Sequence, residues 1–324
     1  MRRPLILALL LTVAPLVSAA QELRLPNKSG SLKFAVIGDT GEPSAGQIAI
    51  AKQMVSWRGR FPFEFALMMG DNLYGAEGAR DYEKKFAGPY KALLDGGLKF
   101  YAALGNHDDA AQINYKAFNM GGQKYYTFRP KLGARFFALD SNYVDDKQLQ
   151  WLSKELEASG SDWKIAFFHH PLYSSGSTHG SADLQRDLIE PVFLKYGVNV
   201  AFMGHEHFYE RIKPQKGVAY FIIGSSSKLR KGDLQKSPLT VYGNDSSYAF
   251  MLVEIVGDEM FFQTIDDKGT TLDTGSIRRV GAAQPNQNQT TQPVVPQSKP
   301  SPVQPGPAKP QAPKEPSQTP DPRR

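Results

Sequence analysis

The chain has 324 residues, 38 Lys+Arg against 32 Asp+Glu, a formal charge of +6 and no cysteine. That length is ample for a sizeable core without covalent staples. The missing thiols exclude disulfide scaffolds, Cys-ligated zinc, iron–sulfur clusters and thiol nucleophiles. The excess positive charge lies mostly at the two ends, on Arg2, Arg3, Lys299, Lys309, Lys314, Arg323 and Arg324. It therefore does not form the basic face that would point to nucleic acid.

Residues 1–20 read as a secretory signal peptide, with Arg2-Arg3, an apolar run over 5–17 and a small-residue cleavage site at Ser18-Ala19-Ala20. The run falls short of the ~20 apolar residues that span a bilayer. The expectation is a secreted or periplasmic protein with no membrane insertion after cleavage. At the other end, residues 285–324 hold twelve of the chain's 23 prolines and no aromatic residue. Such a segment cannot bury enough apolar surface to offset the entropy of ordering, so a disordered tail with polyproline II character is expected. Residues 21–284 remain as one domain.

Within that domain, apolar runs at 34–37, 65–68, 100–103, 136–139, 165–168 and 198–202 read as buried strands. Between them, Ser44 with Gln47 predicts a capping box opening a helix whose inner face carries Ile48, Ala51 and Val55. Asp145 with Gln148 repeats the device before Leu149, Leu152 and Leu156. A third helix carries Leu184, Leu188, Ile189 and Val192. Runs at 220–223, 250–255 and 260–265 are further strands, the last two joined by a hairpin through Gly257-Asp258. Residues 225–248 read as a loop controlling access, with Lys228, Arg230 and Lys231 as candidate anion contacts. Alternating strands and helices followed by hairpins mean a mixed α/β sheet system.

The chemistry follows the strands. Successive runs end in Gly38-Asp39-Thr40-Gly41, Gly70-Asp71-Asn72-Leu73-Tyr74, Gly105-Asn106-His107-Asp108, His169-His170-Pro171 and Gly204-His205-Glu206-His207. Each motif alone reads as a turn or a structural histidine. Together they place Asp, Asn and His at the carboxyl ends of strands, where α/β sheets collect ligands. All six histidines lie in or just beyond these segments. Mixed Asp, Asn and His donors suit Fe, Mn, Zn or Co rather than calcium, and they are too many for one ion. A pair of ions suits phosphoester hydrolysis.

This ordered set resembles the calcineurin-like metallophosphoesterases, and within them the purple acid phosphatases, especially the small tartrate-resistant type. The run from Gly204 through Tyr209, Glu210 and Arg211 is very close to that family's version. One departure from the broad superfamily is informative: its first motif, Asp-x-His, is Asp39-Thr40-Gly41 here, while Tyr74 stands where purple acid phosphatases place a tyrosinate. An added phenolate offsets the extra charge of a ferric ion.

The resemblance implies a β-sandwich of two mixed sheets flanked by helices, in four α/β/β/α layers. It implies a binuclear centre of Fe(III) with Asp39, Tyr74 and His207, a bridging Asp71, and a divalent Fe, Zn or Mn ion with Asn106, His169 and His205. His107 would face the phosphate, and His179 would be a further active-site histidine. His170 is expected to be a neighbour rather than a ligand, and Glu206 receives no role. The implied activity is an acid phosphatase acting on small phosphate monoesters by in-line attack of a metal-bound hydroxide. The alternatives are a phosphodiesterase or nucleotide pyrophosphohydrolase and, least favoured, a non-enzymatic metal or phosphate binder.

Overall fold

The computed structural model describes residues 22–279, so the expected signal peptide and Pro-rich tail lie outside the described residues. Its strands are β1 (Leu32–Ile37), β2 (Phe65–Met68), β3 (Lys99–Ala102), β4 (Tyr126–Lys131), β5 (Ala134–Ala138), β6 (Trp163–Phe167) and β7 (Val200–Met203). They continue with β8 (Tyr209–Gln215), β9 (Val218–Ile223), β10 (Thr240–Asn244), β11 (Ala249–Val256), β12 (Glu259–Asp266) and β13 (Thr271–Arg278). The helices are α1 (Ala45–Arg58), α2 (Ala79–Tyr82), α3 (Lys91–Asp95), α4 (Asp146–Glu157) and α5 (Asp183–Tyr196).

Two mixed sheets result. The first runs β13-β12-β11-β1-β2-β3, with β1 parallel to β2 and antiparallel to β11. The second runs β10-β8-β9-β7-β6-β5-β4, with a parallel centre from β5 through β6 and β7 to β9. Strand side chains alternate between faces, and the apolar clusters divide accordingly. Phe34, Val36, Phe65 and Leu67 of the first sheet pack with Phe136, Phe167, Phe202 and Phe221 of the second. The neighbouring positions Ala35, Ile37, Ala66 and Met68 face outward onto Ile50, Met54 and Trp57 of α1 and Leu93 of α3. On the second sheet Phe137, Ala166 and Ala201 face Leu152 and Leu156 of α4 and Ile189 and Phe193 of α5. The layers are therefore α/β/β/α, and β1 reads as an unbroken apolar run because both of its faces are covered.

The inner layer is largely aromatic. The Phe34 ring stacks on Phe65 at 5.3 Å and meets Phe136 edge-on at 5.2 Å. Such pairs contribute about 0.5–1.5 kcal/mol each beyond simple burial.

Three expectations needed correction. The inner face of α1 is Gln47, Ile50, Ala51, Met54 and Trp57, whereas Ile48 and Val55 are exposed. Trp57 and Met54 offer more apolar surface than the Ile48 stripe, and they set the helix rotation. Leu184 is likewise exposed at the start of α5. Both expected capping boxes are half-formed: Ser44 and Asp145 accept from the backbone N–H of Gln47 and Gln148. The glutamine amides do not reach back; Gln148 instead bonds the backbone of Asp140 and Tyr143. A buried amide must pair where its neighbours are. Finally, the expected loop over 225–248 contains β10, paired with β8. No helix among the described residues is long and apolar enough to cross a membrane.

Candidate metal centre

Each motif lies just past the end of a strand, and the strand ends of both sheets meet at one edge of the sandwich. Asp39 follows β1, Asp71 follows β2 and Asn106 follows β3 in the first sheet; His169 follows β6 and His205 follows β7 in the second. The chain turns sharply at these points. Asp39, Asp71 and His205 have φ of 52°, 50° and 71°, the left-handed region that non-glycine residues seldom enter. Each such residue costs on the order of 1–3 kcal/mol, and strain of that kind collects at functional sites. Gly105 is needed for close approach, because a Cβ there would overlap the backbone nitrogen and Oδ1 of Asp71.

The side chains form two adjoining clusters. In one, ligand atoms of Asp39, Asp71 and His207 all lie within 4.8 Å of one another. The Tyr74 hydroxyl joins them, 3.2 Å from Asp39 Oδ1 and 3.3 Å from His207 Nε2. In the other, His169 Nε2 is 2.9 Å from Asn106 Oδ1 and 3.0 Å from His205 Nδ1. The same nitrogen is 3.4 Å from Asp71 Oδ1, so Asp71 stands between the clusters.

The donor set fits a cation. His169 Nδ1 donates to the Met69 carbonyl at 2.8 Å, which leaves Nε2 unprotonated. Around that lone pair stand an amide oxygen, a carboxylate oxygen and, at 3.0 Å, His205 Nδ1, a convergence of donor atoms that a shared cation would draw together. Asp39 is fully buried, and burial together with Asp71 pushes its carboxyl well above the usual range. Burial, Asp39 and Asp71 likewise push the Tyr74 hydroxyl up, so its phenolate form requires a cation beside it. The imidazoles are held neutral, which is the metal-binding form. Burial, then His170, depresses His169 well below the usual histidine range. Burial, then His169, takes His205 down to about 2. Burial, then Arg230 and Lys228, takes His207 to about 4.

The structure brings all nine expected site residues to this edge. His107 is exposed, its N–H bonded to Asp71 Oδ1 at 3.1 Å and its ring 5.0 Å from that of Tyr74. The exposed His179 ring lies 4.2 Å from that of His205. Lys228 places its ammonium 3.8 Å from the Tyr74 ring centre, while Arg230 turns aside to Asp233 and Glu206.

Sequence reasoning missed several supporting residues. Asp108 accepts from Gly105 N at 2.7 Å, Leu73 N at 3.0 Å and the Asn72 amide at 3.1 Å, tying the second motif to the third. Burial and Asp71 raise its carboxyl to about 8. Glu206 is buried between the two histidines of its motif and accepts from Gly180 N at 2.7 Å and Ser174 Oγ at 3.2 Å, holding the segment that carries His179. Burial raises it to about 7. An acid inside an otherwise ligand-bearing motif was the available signal for both. Nothing in the sequence pointed to Ser141, whose hydroxyl lies 2.9 Å from His170 Nδ1.

The calcineurin-like phosphoesterase family model matches residues 32–209. Tartrate-resistant acid phosphatase type 5 of Rattus norvegicus is 25% identical over 305 residues, covering 78% of this chain and 91% of the relative. Two solved structures share the fold. The GAP50 anchor of the inner membrane complex of Plasmodium superposes with a TM-score of 0.67 at 21% identity, over 77% of this chain and 89% of that one. The purple acid phosphatase PPD1 of yellow lupin, Lupinus luteus, gives 0.66 at 17% identity, over 79% and 55%. With more than half its length matched by the family model and its strand-end donors gathered at one edge, the chain belongs to the calcineurin-like phosphoesterase family.

Proposed function

We propose that this protein is an exported, binuclear-metal acid phosphatase acting on small phosphate monoesters, with residues 21–284 as its catalytic domain. The observation that carries the reading is the meeting of nitrogen and oxygen donors from both sheets around Asp71. In this reading Asp39, Tyr74 and His207 hold a ferric ion, Asp71 bridges, and Asn106, His169 and His205 hold a divalent Fe, Zn or Mn ion. When bound, such a pair supplies Lewis acidity toward phosphate oxygens and acidifies water.

The chain's own residues supply the rest. His107 and His179 are the exposed imidazoles beside the clusters, and each is placed to donate a hydrogen bond to a phosphate oxygen or a proton to the departing alkoxide. Lys228 adds positive charge next to Tyr74 and attracts the phosphate dianion. Half-buried Asp108 and buried Glu206 hold the segments bearing the donors rather than meeting substrate. Export is supported by the signal-like residues 1–20.

The fold alone does not decide activity, since one structural neighbour is described as an anchor. What favours an enzyme here is a complete donor set. The test is a visible absorption spectrum with metal analysis of the full chain. A tyrosinate-to-iron band that disappears in Tyr74→Phe is expected. A colourless, iron-free protein that still cleaves esters removes the ferric assignment, and faster cleavage of diesters than of monoesters moves the reading to the phosphodiesterase class.

A further inference from the structure

Beside Asn106 the surface opens into a groove of about 360 Å³, walled by Lys124, Asn142, Tyr143, His170 and Gln185. It adjoins the second donor cluster directly, because Asn106 belongs to both. None of those five side chains has a role in the reading above, and three of them have fixed hydrogen-bonding polarity.

His170 is the first. The Ser141 hydroxyl oxygen accepts the backbone N–H of His169 at 3.3 Å and of His170 at 3.0 Å. With both lone pairs taken, its hydrogen goes to His170 Nδ1, 2.9 Å away. Nδ1 is therefore the acceptor, and Nε2 carries the ring proton as a donor with no partner among the described residues. Asn142 and Gln185 have the opposite polarity. Asn142 Nδ2 donates to the Gly105 carbonyl at 3.0 Å, and Gln185 Nε2 donates to the Ser141 carbonyl at 3.2 Å. Their amide oxygens are left as acceptors with no partner among the described residues. One imidazole N–H and two amide oxygens are thus fixed around the groove before any ligand arrives.

This array selects by chemistry. A second anionic group would meet one cation, Lys124, but also the carboxylates of Asp108 and Asp140 and the two amide oxygens, which oppose it. An aryl group could rest against Tyr143 but would leave the imidazole N–H and both amide oxygens unpaired. A hydroxyl group both donates and accepts, so several hydroxyls on one carbon chain match donor and acceptors together. Resting on the phosphatase reading, we infer that this groove is the leaving-group subsite and that it takes a polyhydroxylated alcohol, making the preferred substrates sugar or polyol phosphates. His170 is its specificity-determining donor, and Gln185 supplies an opposing acceptor.

The test uses the metal-loaded full chain with glucose 6-phosphate, p-nitrophenyl phosphate and inorganic phosphate, in wild type, His170→Phe and Gln185→Leu. Calorimetric binding is measured alongside turnover. Wild type is expected to bind glucose 6-phosphate more tightly than inorganic phosphate, and each variant to lose about tenfold of that margin. The ratio of kcat/KM for the sugar phosphate over the aryl phosphate should fall by a similar factor. Should wild type hydrolyse neither ester yet keep a margin that both variants erase, the phosphatase reading fails, and the leaving-group assignment with it, while recognition of the polyhydroxylated group by the groove holds. No margin in wild type, or an unchanged margin in two folded variants, overturns the inference whatever the turnover.

Discussion

The imidazole of His169, past the end of β6 in one sheet, donates from Nδ1 to the carbonyl of Met69, past the end of β2 in the other. One hydrogen bond thus spans the edge of the sandwich and decides which nitrogen of His169 is free. Met69 is itself held by its N–H to the Ile37 carbonyl at 2.9 Å, so the first sheet orients an imidazole supplied by the second. Partners of this kind fix the tautomer and rotation of metal-binding histidines.

If His169 serves the divalent ion, His169→Ala should release that ion while the ferric ion stays with Asp39, Tyr74 and His207. Metal analysis of the purified variant is expected to fall from two ions per chain to one. Retention of both ions would remove His169 from the ligand set.

Gly105 has no room for a side chain beside Asp71. In Gly105→Ala either Asp71 or the third motif must move, and overpacking of this kind costs about 1–3 kcal/mol. Denaturant unfolding should show that loss, together with impaired metal loading. A fully loaded, equally stable variant would contradict the close approach.

Glu206 accepts hydrogen bonds from Gly180 N and Ser174 Oγ inside the protein. Glu206→Ala leaves both donors unpaired, at about 1–3 kcal/mol for each buried group, whereas Glu206→Gln keeps an acceptor oxygen. Limited proteolysis should cut near residues 174–181 faster in the alanine variant than in the glutamine variant.

A pH effect is expected away from the centre, at Glu190. Burial acts to raise its carboxyl, but donors from Lys216 at 2.8 Å and Tyr173 at 2.7 Å outweigh it and hold the group below its ordinary value. A depressed folded-state value adds stability above the unfolded-state range near 4.5, and that contribution is lost as pH falls through the folded value. Glu190→Gln should therefore be less stable than wild type at pH 7, by about 1–3 kcal/mol. The gap should close below pH ~4. Urea titrations at several pH values would detect a constant gap, which would assign the loss to packing instead.

In the inner layer, Phe34 is fully buried and touches three rings, Phe65, Phe136 and Phe202. Phe34→Ala is expected to cost about 3–5 kcal/mol. The denaturation midpoint measures it, and a loss under 1 kcal/mol would mean that the layer collapses into the space.

Much of this molecule was legible in one dimension, because a buried strand is a short apolar run and a metal site needs particular atoms. The runs at 34–37, 65–68 and 165–168 coincide with β1, β2 and β6 within two residues at either end. The order of Asp39, Asp71, Asn106, His169 and His205 after such runs was enough to indicate a shared edge, since parallel strands bring their carboxyl ends together. Edge strands carry weaker signals. β4, β10 and β13 lie at sheet edges and β8 lies next to one; all four mix polar and apolar residues because one side meets solvent or a loop, and none was expected.

Other features exist only in three dimensions. The face that α1 buries depends on where Trp57 and Met54 find room, not on helical spacing alone. The left-handed turns at Asp39, Asp71 and His205 depend on the crowding of strand ends from two sheets. The tautomers of His169 and His170 follow from a carbonyl 100 residues away and a serine hydroxyl 29 residues away. Residue types and their order are local properties, so the sequence by itself determined which candidate donors follow the strands and the kind of fold. Hydrogen-bond polarity depends on partners distant along the chain, so only the tertiary structure decided which atoms of those residues are free to act.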